Sequence, residues 1–205
     1  MVNPHAHWEN VYRTKEPDEV SWYRPHLENS LELIRTAAPR LDAHIIDVGA
    51  GEATLVDDLI KLGYRNLYAL DISSAAFDVS KARLGADADR VHWLVGDVLR
   101  VGLEQRRFDL WHDRAVFHFL TQRADRAAYV RQVAHAVRPG GHVIVAAFGP
   151  EGPTRCSGLD VVRYDPDTLH DEFGSAFQLV EHRMELHQTP MGTTQQFTYC
   201  LCRVA

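Results

Sequence analysis

The 205-residue sequence predicts a single α/β domain in which short, buried strands pair mostly in parallel. An apolar run at residues 44–48 leads into a glycine-spaced turn, Gly49-Ala50-Gly51, and then into a helical pattern. Further apolar runs alternate with helical patterns up to residue 148, an order typical of parallel strands joined by right-handed crossovers. Two long strands then follow across a short turn, and such neighbours pair antiparallel. The sequence therefore predicts a doubly wound sheet with one reversed strand.

The first half of the chain supplies three strands and the helices between them. A helix is predicted between Pro25 and Pro39, because apolar residues recur there on one face and the second proline ends it. The helix after the glycine turn ends at Gly63, and the next one runs from about Ser74 to near Gly85. The strands of this half are predicted at residues 44–48, 67–71 and 91–95.

The second half completes the sheet. A fourth strand is predicted at residues 108–111, and the helix after it ends at the Pro-Gly-Gly turn of residues 139–141. The fifth strand, residues 142–148, is the most apolar and is therefore expected to be buried on both faces. A helix capped by Asp165 and ended by Gly174 precedes the last two strands, predicted at about residues 177–186 and 196–204.

Charge and composition disfavour several classes of partner. Lys and Arg number 22 against 28 Asp and Glu, a formal charge of -6 with no basic block, so binding to nucleic acid or an anionic membrane is not expected. No apolar run approaches the roughly 20 residues that cross a bilayer, and the polar start does not resemble a signal peptide. We expect a soluble, cytoplasmic protein with reduced thiols at Cys156, Cys200 and Cys202. The histidines lack metal-ligand spacing, so no metal is expected.

Three acidic residues fall at the ends of the first three predicted strands. Asp47 lies in the first strand, Asp71 ends the second and Asp97 follows the third. An acid at the end of the second strand, about 20 residues after the glycine turn, is placed to accept hydrogen bonds from a ribose diol. Asp97 is placed for an adenine amino group, with Val98 beside the ring. Each acid alone is also typical of a turn or a helix cap, but together they indicate one nucleotide site.

A dinucleotide is a weaker candidate for this site. The dinucleotide motif requires a third glycine where Thr54 stands. The Tyr-x-x-x-Lys pair of short-chain reductases is absent, and the chain is too short for a separate substrate domain. These three observations disfavour a nicotinamide cofactor.

Several motifs together resemble those of the class I S-adenosylmethionine-dependent methyltransferases, over nearly the whole chain from Ile45 to Arg203. They are Asp-Val-Gly-Ala-Gly at residues 47–51, Asp71, Gly-Asp-Val at 96–98, Arg-Pro-Gly-Gly at 138–141 and the terminal hairpin. The resemblance implies a Rossmann-like, doubly wound sheet of seven strands in the order 3-2-1-4-5-7-6, with strand 7 antiparallel. It also implies S-adenosyl-L-methionine as the cofactor.

The same resemblance implies the contacts of the cofactor. Gly49 and Gly51 are implied to face its methionine part, Asp71 its ribose and Asp97 with Val98 its adenine. One departure is Ala53, where many relatives carry a third glycine. The full set of candidate cofactor-binding residues is Trp22, Asp47, Gly49, Gly51, Asp71, Ile72, Asp97 and Val98.

The N-terminal segment is rich in aromatic residues and resembles that of small methyltransferases of the thiopurine and tellurite-resistance type, in which a tryptophan-bearing helix lies over the cofactor. Trp22 and Tyr23 are the candidates for such a lid, because aromatic faces attract a cationic sulfonium. The alternative is a helix packed on the edge of the sheet. We therefore expect one methyltransferase domain, residues 1–205, with the lid and helices in residues 1–40 and the seven-strand core in residues 41–205.

Candidate acceptor residues stand at the end of the fourth strand. His118, one turn into the predicted following helix, is a candidate base because histidine accepts protons near neutral pH. Asp113 is placed to orient it or to hold a cationic acceptor, and both residues also fit packing roles. Arg114 is suited to bind a carboxylate or to pair with Asp113. Methyl transfer mainly requires alignment and exclusion of water, and a base only where the acceptor arrives protonated.

We therefore predict a methyltransferase that acts on a small-molecule acceptor by in-line displacement, with thiol and chalcogen compounds among the candidates. The tract at residues 108–114 also resembles the Asp-Lys/Arg signature of thiopurine and seven-strand protein-lysine methyltransferases. A protein-lysine N-methyltransferase is therefore the first alternative. A non-catalytic S-adenosylmethionine-binding module is the second.

Overall fold

A computed structural model of the chain describes residues 3–205, so Met1 and Val2 of the predicted N-terminal segment lie outside the described residues. Its seven-stranded sheet has the spatial order β3-β2-β1-β4-β5-β7-β6, with β7 antiparallel to both of its neighbours. This confirms the predicted Rossmann-like sheet and its reversed seventh strand. The strands are β1 (His44–Val48), β2 (Asn66–Asp71), β3 (Val91–Val95), β4 (Phe108–Arg114), β5 (Val137–Phe148), β6 (Phe177–Gln188) and β7 (Thr194–Val204).

Helices cover both faces of the sheet. Residues of α2 and α3 contribute to one hydrophobic core, and residues of α5 and α6 to the other. Strand β1 serves both, because side chains alternate along a strand: Ile45 belongs to the first core, and Ile46 and Val48 to the second. The helices are α1 (Pro4–Thr14), α2 (Glu28–Ala37), α3 (Leu55–Lys61), α4 (Ser74–Leu84), α5 (Arg123–Ala136) and α6 (Pro166–Phe173). None of the helices in residues 3–205 is both long and apolar enough to span a membrane.

The parallel registers bring the carboxyl ends of β1, β2 and β4 together. Asp47 of β1 pairs in register with His112 of β4. The amide of Gly49 donates to the carbonyl of Leu70 at 2.7 Å, and the amide of Gly96 to that of Asp71 at 2.8 Å. The loops that follow these strands therefore meet at one edge of the sheet, where doubly wound folds bind their ligands.

The region around β4 and α5 corrects two predicted boundaries. The predicted helix directly after β4 does not form there, because a short 3-10 turn occupies Phe117–Phe119 and α5 begins only at Arg123. His118 therefore lies in this turn and not in an α-helix. At the other end, Val137 belongs to β5 instead of closing the helix, so β5 begins five residues before the predicted start at residue 142.

The N-terminal segment, which lacks a clean sequence period, contains α1. Asn3 caps this helix, because its Oδ1 accepts a hydrogen bond from the amide of Ala6 at 3.3 Å. Val11 is its buried residue, so little of its stability comes from a buried apolar face. Contacts with α4, described below, hold it on the domain.

Candidate active site

The turn after β1 needs glycine at two positions. Gly49 and Gly51 have φ angles of +67° and +50°, in the left-handed region that favours glycine. A Cβ atom on Gly49 would lie 2.0 Å from Cγ2 of Val116, and one on Gly51 would lie 2.5 Å from the hydroxyl oxygen of Tyr12. The turn is therefore packed from one side by the chain after β4 and from the other by α1.

A cavity, which we call the glycine-turn cavity, lies between this turn, the ends of β1 and β4, and the N-terminal segment. Among its lining residues are Trp22, Asp47, Gly49, Gly51 and Arg114. Four predicted site residues, the first four of these, are thereby brought together. Ile72, Asp97 and Val98 are not among the residues that line it.

Asp71 adjoins the cavity through the glycine turn. Its Oδ2 accepts a hydrogen bond from the amide of Gly51 at 2.9 Å, and its Oδ1 one from the amide of Ser73 at 2.9 Å. Burial raises the pKa of the Asp71 carboxyl to about 6, although hydrogen bonds from backbone amides act in the opposite direction. Since a carboxylate offers about four lone-pair directions, about two remain for further donors.

The end of β3 lies next to Asp71. Asp97 is partly exposed and accepts a hydrogen bond from the amide of Leu99 at 2.9 Å, as a turn residue does. Val98 is buried and packs into the second core, and Ile72 is partly buried. These three predicted residues therefore flank Asp71 at the sheet edge, outside the glycine-turn cavity.

Asp47 is part of a buried hydrogen-bonded chain that the sequence reasoning missed. Nδ1 of His112 lies 2.7 Å from Oδ1 of Asp47, and Nε2 lies 2.8 Å from Oγ of Ser30. With Nδ1–H donating to the carboxylate, Nε2 accepts from the serine hydroxyl while the ring is neutral. All three residues are at most 5% exposed. Through these hydrogen bonds, Ser30 of α2 and His112 of β4 fix the orientation of the Asp47 side chain.

Glu52 is a second missed residue of the cavity. It follows Gly51, is 6% exposed, and neither carboxyl oxygen has a hydrogen-bond partner among residues 3–205. Burial raises its pKa to about 7. An unpaired buried carboxylate is costly, so this position favours a ligand that brings a donor or a positive charge.

The N-terminal segment covers the cavity. Trp22 lines it and packs edge-on against Trp8, at 5.7 Å between ring centroids. The carboxylate of Glu9 caps α4, accepting hydrogen bonds from Oγ of Ser73 at 2.7 Å and from the amide of Ser74 at 3.0 Å. The hydrogen bond from Ser73, with smaller contributions from Arg13 and the amide of Ala75, lowers the pKa of Glu9 to about 2. One carboxylate thus holds α1 at the end of β2.

Asp113 sits behind the cavity, where it shapes the turn after β4. Its oxygens accept hydrogen bonds from the amides of Val116 and Phe117 at 2.9 and 3.1 Å and from the hydroxyl of Tyr129 at 2.5 Å. Burial raises its pKa to about 6. Asp113 neither lines the cavity nor contacts Arg114 through an ion pair, since the ion pair of Arg114 is with Glu185.

His118 is fully buried between aromatic rings, 4.5 Å from Phe119 and 4.4 Å from Phe148. Burial, with a further contribution from the charge of Arg114, lowers its pKa to about 3. The amide of Phe148 donates to Nδ1 at 3.2 Å, so the neutral ring carries its proton on Nε2. In the described part of the chain Nε2 has no hydrogen-bond partner, and in this tautomer it is a donor. This geometry supports a positioning role better than a proton-accepting one.

Arg114 ends β4 with its side chain 5% exposed. Its Nε donates to the hydroxyl of Tyr199 at 3.0 Å, Nη1 donates to the carbonyl of Trp22 at 3.0 Å, and the guanidinium lies 4.2 Å over the ring of Phe197. Within residues 3–205, Nη2 has no hydrogen-bond partner and lies 3.8 Å from the carboxylate of Glu185. Arg114 therefore lines the cavity with one donor group of its guanidinium still available.

Comparisons with known proteins agree with this geometry. Residues 45–141 match the family described as methyltransferase domain. Human EEF1A lysine methyltransferase 2 is 20% identical over 189 residues, which cover 85% of this chain and 74% of the human protein. The 1,6-didemethyltoxoflavin-N1-methyltransferase of Burkholderia thailandensis, solved with S-adenosylhomocysteine, superposes with a TM-score of 0.77 at 18% identity, covering 100% of this chain and 92% of its own. The N-methyltransferase NodS of Bradyrhizobium japonicum gives 0.70 at 15% identity, with 97% and 98% covered.

The strand order, the glycine turn and the matched domain define a methyltransferase of the seven-strand class. The fold, and the match to the methyltransferase domain over residues 45–141, agree with the class I S-adenosylmethionine-dependent methyltransferases that the motifs predict. Both of these solved structures contain S-adenosylhomocysteine, the demethylated form of the cofactor that the motifs predict for this chain.

Proposed function

We propose that the glycine-turn cavity and the adjoining strand ends hold S-adenosylmethionine, and that the chain transfers its methyl group to a small-molecule acceptor by in-line displacement. Thiol and chalcogen compounds are among the candidate acceptors. The observation that carries this proposal is the cavity itself, which is bounded by the glycine turn on one side and covered by Trp22 and Tyr23 on the other.

The residues present fit this cofactor. Gly51 donates its amide to Asp71, and this carboxylate keeps about two lone pairs free for a ribose diol. Asp47 and the unpaired Glu52 supply negative charge on the same side, which suits the cationic methionine part. Ile72, Asp97 and Val98, next to Asp71, are the residues proposed for the adenosine end. Gly49 and Trp22, which line the cavity, complete the set of residues proposed to bind the cofactor.

When bound, S-adenosylmethionine supplies an activated methyl group and the driving force of the transfer. The chain must align the acceptor and exclude water. The covering segment is suited to this task because buried donors tie it to the sheet: Arg114 binds the carbonyl of Trp22 at 3.0 Å, and Nε2 of His187 lies 2.8 Å from the carbonyl of Ser21. Among the predicted catalytic residues, Asp113 supports the turn that carries His118, and both then act by positioning.

A small acceptor is supported by this cover. Trp22, Tyr23 and Arg24 come from the chain itself and close the side of the cavity opposite the glycine turn. A small molecule is enclosed by such a cover, whereas a lysine on a folded protein has to pass it. With a small-molecule acceptor, the cover alone excludes water from the reacting centre, and no surface of a partner protein is needed.

A protein-lysine acceptor is the second candidate function. It is supported by the 20% identity with human EEF1A lysine methyltransferase 2 over 85% of this chain, and by the sequence signature at the end of β4. The two candidate functions differ in the acceptor, a small molecule or a protein lysine, so one labelling experiment separates them.

The experiment incubates the protein with methyl-labelled S-adenosylmethionine and, separately, pooled small thiols and metabolites or cell protein. We expect label in the small-molecule fraction. Label in protein, recovered as methyl-lysine after hydrolysis, would instead establish the second candidate. Cofactor binding by calorimetry with no transfer to any pool would identify a non-catalytic module.

A further inference from the structure

The guanidinium of Arg114 carries a binding capacity that no contact within residues 3–205 uses. The fold provides partners for three parts of the guanidinium: Nε donates to Tyr199, Nη1 donates to the carbonyl of Trp22, and the planar face lies over the ring of Phe197. Nη2 is buried and has no hydrogen-bond partner among the residues that the structure describes; its side chain is 5% exposed and belongs to a residue that lines the glycine-turn cavity. A buried donor of this kind costs free energy unless a ligand satisfies it.

The nearby carboxylate does not meet this need. Glu185 is 6% exposed, and its nearest cation is Arg24, whose Nη1 lies 2.6 Å from Oε1. Arg114 reaches the same oxygen only at 3.8 Å. Arg24 has a further partner in Glu28 at 3.2 Å, but that carboxylate is 59% exposed and therefore screened by water. One buried carboxylate thus faces two guanidinium groups.

The local potential is accordingly positive. Burial and then the charge of Arg114 lower the pKa values of His118 and His187. The opposite side of the cavity carries the carboxylates Asp47 and Glu52. The cavity therefore has an acidic side at the glycine turn and a basic side at the end of β4.

The backbone next to Arg114 also departs from ordinary geometry. Ala115 has a φ of +79°, in the left-handed region that non-glycine residues rarely adopt. Its amide is held by the carbonyl of Ala146 at 2.9 Å. Strain of this kind, when the surroundings impose it, is typical of positions where a side chain is set for a ligand.

We propose that Arg114 is the specificity-determining residue of the acceptor site and that it binds a carboxylate of a small acidic acceptor through Nη2. The inference deepens the proposed function and rests on it, since it places an acceptor in this cavity. Guanidinium is the side-chain group best matched to a carboxylate, and the bond is strengthened where water is excluded. An acceptor that enters as a cation, such as a lysine ammonium, would meet Arg114 as a like charge.

The test uses three small probes of matched shape: propionate, propionamide and n-propylammonium. Each is titrated into the protein saturated with S-adenosylhomocysteine, and its dissociation constant is measured by ligand-observed NMR. We expect propionate to bind at least about tenfold more tightly than propionamide, and n-propylammonium to bind most weakly. Equal affinity for propionate and propionamide, or no detectable binding of either, overturns the inference. Tighter binding of n-propylammonium also overturns it and supports the protein-lysine candidate.

Two variants assign the preference to this residue. Arg114→Gln should reduce the preference for propionate over propionamide to within about threefold, and Arg114→Lys should keep part of it. Arg138→Gln is the matched control, because Arg138 is 54% exposed and pairs with Asp109 at the opposite end of the sheet. It should keep the wild-type preference, and an unchanged preference in Arg114→Gln refutes the assignment. The wild-type probe series decides the question alone if the variants do not fold.

The same preparation separates this inference from the proposed function. If S-adenosylhomocysteine does not bind, or labelled methyl groups reach no acceptor, the proposed function fails. If both succeed and the probes show no preference for propionate, only the role of Arg114 fails.

Discussion

The substitution Asp71→Asn isolates the contact proposed between the end of β2 and the ribose of the cofactor. In the wild-type chain both oxygens of Asp71 already accept a backbone amide, from Gly51 and Ser73, each at 2.9 Å. About two lone pairs remain, which matches the two hydroxyl donors of a ribose. Asparagine keeps the shape of the side chain, removes the charge and replaces one acceptor oxygen by a donor.

The size of the effect follows from these contacts. Hydrogen bonds to a charged acceptor contribute roughly 1.5 to 3 kcal/mol, and a buried partner left unsatisfied costs a similar amount. We expect Asp71→Asn to weaken binding of S-adenosylhomocysteine by about 1 to 3 kcal/mol, or about 5-fold to 150-fold in dissociation constant. Part of the loss comes from Gly51. In one of the two rotamers of the asparagine side chain, the NH2 group would face the backbone N–H of Gly51, so that two donors would oppose each other.

Calorimetric titration with S-adenosylhomocysteine and with its 2′,3′-dideoxy analogue measures the contact directly. If Asp71 binds the diol, the substitution should weaken S-adenosylhomocysteine but have little further effect on the analogue, so the two losses are not additive. Circular dichroism and the unfolding midpoint check that the variant is folded. Affinity for S-adenosylhomocysteine within twofold of wild type, or fully additive losses, would refute the reasoning.

Three further predictions follow from the same region. Gly49→Ala should lower the free energy of unfolding in urea by about 2 to 4 kcal/mol, because its Cβ would lie 2.0 Å from Val116; Gly85→Ala, also at positive φ but with open space around it, should cost only about 1 to 2 kcal/mol. Burial raises the pKa of Glu52 from 4.5 to about 7, so its ionisation destabilises the fold progressively as pH rises through that window. Glu52→Gln should therefore gain up to about 3 kcal/mol over wild type at pH 8 and almost nothing at pH 4.5, as measured by urea unfolding, and an equal gain at both values would contradict this. The pKa of His118 is about 3, so wild type and His118→Asn should have pH–rate profiles of the same shape between pH 5.5 and 8. A rise in rate over this range that is seen in wild type and lost in His118→Asn would instead identify His118 as the base.

The strand order and the glycine turn were predictable because their signals are local. Apolar runs of four to seven residues, the glycine spacing, and the acid at the end of β2 each lie within a few consecutive positions. The helix after Asp165 was equally clear, and the structure confirms it with a capping box between Asp165 and Thr168. A single long-range rule, the right-handed crossover, then fixes how these pieces assemble.

The rest of the site depends on contacts between distant segments. Ser30 meets His112 across 82 residues, and Arg114 meets Tyr199 across 85. Nothing in the sequence near either partner indicates the other. The resemblance implied a helical lid in residues 1–40, but the bounds of helix α1 were not predictable for a related reason, since the bonds from α4 to Glu9 stabilise it more than any apolar period of its own. The turn after β4 was misassigned because Asp113 captures the amides of Val116 and Phe117, which local propensity does not reveal.

The topology explains why the two sides of the cavity differ in charge. The strand order reverses between β1 and β4, and this switch point opens the crevice in which a doubly wound sheet binds its ligands. Asp47 and Asp71 come from the β1 and β2 side, whereas Arg114 comes from β4. Changes on the first side should therefore move cofactor affinity, and changes at Arg114 should move acceptor selectivity. His112 is the expected exception, because it reaches from β4 to Asp47 and so couples the two sides.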